Sequence, residues 1–132
     1  MSKILVNYTG NLRCDIQEPQ KGVTVRTDAP KKIQGLEESF SPTELFRASL
    51  GSCMTTMIAF VARDKNIDLA GLKVEVEEFE DEKLRLEINI YCPIKLDEKL
   101  ATILERSAKS CPVHKRLHPD IECNVHFHYP NE

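Results

Sequence analysis

The chain has 132 residues, of which 41% are hydrophobic and 30% charged, with a net charge of −3, five cysteines and no tryptophan. That length suits one domain of about 100–150 residues, so residues 1–132 are read as a single domain, and the apolar fraction is too well patterned for a disordered chain. The charge offers no basic footprint for nucleic acid. No uninterrupted apolar run reaches the roughly 18 residues of a membrane span, and Met1-Ser2-Lys3 leads into a strand-like segment without the apolar core of a secretory signal.

Residues 3–9, 11–17 and 21–27 are predicted strands, separated by turn residues around Gly10-Asn11 and Pro19-Gln20-Lys21-Gly22. The polar stretch 28–40, with Pro30 and Gly35, is expected to be a long loop. Ser41-Pro42-Thr43-Glu44 then places Ser at N-cap, Pro at N1 and Glu at N3, a capping box that opens a helix running to about Lys65. No charged side chain lies between Ala48 and Ala62, so this helix is expected to be covered on most sides.

Beyond Gly71 the period changes to two. Leu72, Val74 and Val76 alternate with Lys73, Glu75 and Glu77, and Leu84, Leu86, Ile88 and Ile90 alternate with Arg85, Glu87 and Asn89. Residues 97–109 form a second predicted helix, and Cys111-Pro112 starts a short third one with Cys111 at N-cap. A last strand, 121–129, turns Ile121, Cys123, Val125 and Phe127 inward and Glu122, Asn124, His126 and His128 outward. The order βββ-α-ββ-α-(α)-β, with antiparallel runs and no βαβ alternation, predicts an α+β fold around the central helix. A chain this short with six strands struggles to enclose that helix, so a homodimer is expected.

The cysteines carry the chemistry. Five is an odd number, and Cys14, Cys53, Cys92, Cys111 and Cys123 are spread along the chain, which argues for a reducing, cytoplasmic setting over a disulfide framework. Cys14, Cys92 and Cys123 fall in strands and read as structural. Cys53 lies mid-helix among Gly51, Ser52, Thr55 and Thr56, either as a buried thiol or as a reactive one near a close backbone approach. Cys111, at the N-cap with His114 and Lys115 behind it, is expected to have a lowered pKa. A metal site at Cys111, His114 and His118, with Cys92 as fourth group, is the alternative that their spacing leaves open. The position of Glu44 is explained by the capping box alone.

Ser41-Pro42-Thr43-Glu44-Leu45-Phe46, the following Ala48-Ser49-Leu50-Gly51-Ser52-Cys53, and the distant Cys111-Pro112-Val113-His114 resemble the OsmC/Ohr family. These are the osmotically inducible and organic hydroperoxide resistance proteins. The resemblance covers essentially the whole chain and is nearest to the OsmC-like redox-protein branch. It implies an intertwined homodimer with its central helices buried between subunits. It also implies a thiol peroxidase that needs no metal or organic cofactor. Cys53 would be the peroxidatic cysteine, Cys111 its resolving partner, and an external dithiol the reductant. An arginine oriented by a glutamate holds the reacting thiolate in the family. Glu44 matches that glutamate, and Arg26 is the nearest match in order to the arginine, with Arg47 its competitor at i,i+3 from Glu44.

Glu44 and Cys53 are nine residues apart, about 13.5 Å along a straight helix and on opposite faces of it. A shared site therefore requires exchange between the two helices of a dimer, or a bend near Gly51. A non-enzymatic reading stays open beside the peroxidase, with the same fold binding a small apolar or thiol-reactive ligand and Cys53 as sensor or lining.

Overall fold

The computed structural model describes residues Lys3 to Asn131, so the start of the chain at Met1 and Ser2 lies outside the described residues. The chain divides into two compact units, one through Phe46 and one from Arg47 onward.

The first unit is an antiparallel sheet of three strands in the order β1 (Leu5–Gly10), β2 (Arg13–Glu18), β3 (Val23–Asp28). The β1–β2 hairpin closes through Gly10, Asn11 and Leu12, all with positive φ, and its register shifts between Tyr8 and Gly10. One face of this sheet carries the exposed apolar side chains Val6, Tyr8, Val23 and Val25. What is buried is polar or small: Thr27, Asp28, Ala29 and Gly35.

The segment after β3 is more ordered than the loop expected from its composition. It holds a 3-10 turn at Lys31–Ile33 and is tied to β3 by Asp28 N–H donating to Phe40 O (2.9 Å) and Glu37 N–H to Ala29 O (3.1 Å). The Asp28 carboxylate accepts from the Glu38 amide at 2.8 Å and from Arg13 Nε at 3.3 Å. Gly35 lies so close that a Cβ there would fall 2.0 Å from Ala29 O. The loop is thus pinned by a buried carboxylate, an interaction that local composition does not announce.

Helix α1 (Pro42–Asp64) opens on the expected capping box. The Glu44 amide donates to Ser41 Oγ at 3.2 Å, and the Ser41 amide donates to Glu44 Oε1 at 2.8 Å. Within the second unit of a single chain α1 is covered along one stripe, Leu50, Gly51, Met54, Ile58 and Ala62. Ala48, Ser49, Ser52, Thr56, Ala59 and Phe60 are exposed, Phe60 by 58%. By length and composition α1 could cross a membrane, with a mean hydropathy of 1.4 over an 18-residue window. Ser49, Gly51, Ser52, Thr55 and Thr56 interrupt it, so the expected absence of an uninterrupted apolar run of that length holds, and a core helix passes the same test of length and composition.

The second sheet has the order β4 (Lys73–Glu80), β5 (Leu84–Tyr91), β6 (Glu122–His128). β4 and β5 are antiparallel, whereas β5 and β6 are parallel, against the expectation of antiparallel strands throughout. The reason is the crossover through α2 (Glu98–Lys109) and α3 (Pro112–Lys115), which returns the chain in its original direction. Asp97 caps α2 by accepting from Leu100 N–H at 2.8 Å. The core joins Leu50, Met54 and Ile58 of α1 with Leu86, Ile88 and Ile90 of β5 and Leu104 and Ala108 of α2. α1 meets β4 at Gly51, where a Cβ would stand 3.1 Å from Val76 Cγ2.

Candidate functional site

Cys53 projects from the middle of α1, half-buried, and Cys111 sits at the N-cap of α3, completely buried. The second unit brings these two side chains near enough for Cys53 to act on the Cys111 thiol, although 58 positions separate them in the chain. Both are free thiols. The local sequence explains each placement. Pro112 at N1 fixes the start of α3 and leaves Cys111 in the extended conformation of a cap. The absence of a side chain at Gly51 lets α1 settle against Val76 of β4 two residues before Cys53.

Cys111 Sγ accepts from the His114 amide at 3.4 Å, as the N-cap reading requires. The expected lowering of its pKa does not follow. Burial pushes the Cys111 thiol up, the neighbouring Cys53 adds to this, and the His114 and Val113 amides only partly oppose them. The sequence motif shows the amides of the helix start but not the burial, and burial wins.

Cys123, read from the sequence as a strand residue facing inward, is half-buried on β6. Burial raises its pKa, Lys109 acts to lower it and Cys111 to raise it further, which makes it the next thiol to the pair. Cys92 is buried just beyond β5, its amide donating to His128 O at 2.9 Å. Cys14 lies on β2, in the first unit.

The other residues singled out from the sequence are engaged elsewhere. Arg26 stands on β3 directly opposite Asp15 of β2, its Nε 2.9 Å from Asp15 Oδ1. That pairing raises its pKa, chiefly through the side-chain hydrogen bond. Glu44 closes the capping box. Arg47 has Leu50, Gly51 and Met54, all buried, at i+3, i+4 and i+7, and its Nε is buried without a hydrogen-bond partner. His118 Nδ1 accepts from the Asp120 amide at 3.0 Å. Among the described residues no group of three or more His, Cys, Asp or Glu is placed to hold a metal ion, so the spacing of Cys111, His114 and His118 is not matched by convergence.

Sequence reasoning missed Arg13 and Asp28, which are register partners on β2 and β3 and form an ion pair at 3.3 Å; Arg13 also pairs with Glu38. The signal was available, since they stand at equal distances from the turn that joins their strands. Beside the C-terminal half of α1 lies an open cavity of about 800 Å³, lined by Thr56, Phe60, Arg63, Ile67 and Leu72 among others.

A family model described as OsmC-like protein matches residues 35–126 of the chain. An uncharacterised protein of Methanocaldococcus jannaschii is 32% identical over 112 residues; the match takes in 80% of this chain but 58% of that relative. Among solved structures, a protein of Psychrobacter arcticus named for osmotic stress induction and detoxification response is 39% identical, with a TM-score of 0.90 over 97% of this chain and 96% of its own. The organic hydroperoxide resistance protein OhrB of Bacillus subtilis shares the fold at 18% identity, with a TM-score of 0.66 over 97% of this chain and 98% of its own.

Proposed function

The chain belongs to the OsmC-like family, and from that premise we propose that it is a thiol peroxidase that reduces organic hydroperoxides through Cys53 and Cys111. The observation that carries this reading is the meeting of two free thiols from distant parts of the chain, one half-buried and one fully buried. The half-buried Cys53 thiolate attacks the terminal oxygen of the hydroperoxide. The O–O bond breaks, its electron pair leaves with the alkoxide, and the alkoxide takes a proton from solvent to give the alcohol. Cys53 is left as a sulfenic acid. The Cys111 sulfur then attacks the Cys53 sulfur, the S–O bond breaks, and the hydroxide departs as water with the Cys111 proton. An external dithiol reduces the resulting disulfide.

Arg26 and Glu44 enter this scheme only through the family resemblance. In this chain Arg26 is held by Asp15 and Glu44 serves the capping box, so the reading rests on the two cysteines. It includes a second copy of the chain covering the exposed stripe of α1; a monomeric mass in light scattering would remove that part.

Thiol counting tests the chemistry. One equivalent of cumene hydroperoxide should remove two of the five thiols from the reduced protein, and Cys53→Ser should abolish the loss. An unchanged count ends the peroxidase reading. The cavity beside Phe60 and Arg63 favours one second reading, a domain that binds a small apolar ligand without turnover, for which the thiol count stays at five.

A further inference from the structure

Positive charge gathers at one corner of the second unit. Between Lys99 and His118 stand five lysines and arginines and a single acid, Glu105, in a chain whose net charge is −3. Lys99, Arg106 and Lys109 fall within about 80° of arc on α2, and all three are exposed. Lys115 and Arg116, also exposed, follow at the end of α3. Arg13, Arg26, Lys73 and Arg85 are in ion pairs, but among the described residues none of these five is. Glu105 is engaged elsewhere, its carboxylate accepting from the Tyr129 hydroxyl at 2.6 Å. The dipole at the end of α2 favours Arg106 and Lys109. It opposes Lys99 in the first turn, and the four-residue α3 has little dipole to offer Lys115 and Arg116.

The corner is built around the backbone of Cys111. The Lys115 amide donates to Cys111 O at 3.1 Å, and the Arg116 guanidinium donates to Pro112 O at 2.9 Å. We propose that this cationic corner is the docking face for the reductant, a protein that carries its dithiol beside an acidic surface. The inference rests on the reading of Cys53 and Cys111 as the redox pair. A thiolate of the docked dithiol attacks the half-buried Cys53 sulfur, the bond to Cys111 breaks, and Cys111 takes up a proton. The second thiol of the partner then attacks the mixed disulfide, Cys53 departs and is protonated, and the dithiol is left as a disulfide. The charge argues for a compact partner. It is local, and the rest of the chain is net negative. A long polyanion such as nucleic acid would run off the corner onto like charge, whereas an acidic patch on a folded protein meets the corner alone.

The test uses two dithiols of different charge on the full-length protein. The disulfide is made with diamide, without peroxide, and its reduction is followed by acid quenching, alkylation and mass spectrometry of the Cys53 and Cys111 peptides. The probes are neutral dithiothreitol and anionic meso-2,3-dimercaptosuccinate. At low salt, Lys115→Glu combined with Arg116→Glu should slow reduction by dimercaptosuccinate about fivefold or more and leave dithiothreitol within about twofold of the parent. Arg106→Glu combined with Lys109→Glu should act in the same direction. At about 0.5 M salt the parent and the variants should converge, since exposed charges are then screened.

Unchanged rates with both dithiols would overturn the proposal, and so would equal slowing with both, which marks a disturbed α3 and not a lost charge. Salt-sensitive binding of a single-stranded DNA oligonucleotide by the parent, lost in the variants, would overturn it in favour of a nucleic acid face. Circular dichroism establishes that the variants are folded. If diamide joins Cys53 to Cys111 and the charge contrast holds while a hydroperoxide forms no disulfide, the peroxidase reading falls and this one stands. If neither oxidant joins them, both fall.

Discussion

The two units of the chain are held together by different physics. From Arg47 onward the core is apolar and closed: Leu50, Met54, Ile58, Leu86, Ile88, Ile90 and Leu104 are all buried within one chain. Before it, the three-stranded sheet leaves Val6, Tyr8 and Val25 in water, and its buried centre is Asp28 with the amides and the guanidinium around it. Burial of apolar area drives folding at roughly 25 cal/mol per Å². The second unit therefore buries its apolar surface within itself, while the first leaves most of its apolar surface exposed. The exposed face of α1 shows the same incompleteness. Cys53 and Cys111 both lie in the unit with the closed apolar core.

Breaking this contrast should have its largest effect in the apolar core. Ile88→Ala, at a fully buried site on the central strand, should cost about 2–5 kcal/mol in urea unfolding. Val25→Ala, at an exposed site, should change the stability of the single chain by no more than about 0.5 kcal/mol. If a second copy covers that sheet, the same variant weakens self-association in sedimentation.

Asp28→Ala should loosen the first unit without touching the second. Amide exchange of residues 29–40 should accelerate while that of β5 stays slow. The Asp28 carboxyl is pushed up by burial, but the Glu38 amide and Arg13 outweigh this and hold it below its ordinary value. Its stabilising effect is thus present above the unfolded pKa and is lost as pH falls through the folded one.

The polar face of the second sheet offers a finer test. Glu87 accepts from Asn124 Nδ2 at 2.6 Å and Arg85 at 2.9 Å, and its Oε1 lies 3.0 Å from His126 Nε2. Those bonds, the one from Asn124 foremost, bring its pKa from 4.5 down to about 2. A depressed carboxylate stabilises the fold above its unfolded value, so stability should fall between about pH 4.5 and 2, and Glu87→Gln should flatten that part of the profile.

The smallest effect is expected at Gly51→Ala. The helix gains about 1 kcal/mol from alanine, but the new Cβ stands 3.1 Å from Val76 Cγ2, so the two should nearly cancel in thermal melts. Adding Val76→Ala should relieve the contact at the helix and uncover the propensity gain.

Legibility in the sequence followed the range of the interactions. The capping box at Ser41 and Glu44 and the alternation of β4 and β5 are matters of a few residues, and each was readable. So was the start of α3 at Cys111-Pro112. The parallel pairing of β6 with β5 was not, because strand direction is set by where the crossover packs and not by the strand's own pattern. The Asp28 anchor joins residues 15 positions apart at a site that composition marks as loop. The raised pKa of Cys111 was hidden for a similar reason, since the motif announces the amides that lower it and is silent about the burial that wins. That Cys53 and Cys111 belong together came from the family resemblance and not from spacing, and the fold supplies the contact.

The most direct test of that pairing is disulfide mapping after oxidation. Reduced protein treated with one equivalent of an organic hydroperoxide, then blocked and digested without reductant, should yield one cross-linked species joining the peptides of Cys53 and Cys111. Recovery of both peptides uncrosslinked, or a disulfide between any other two of the five cysteines, would contradict the account.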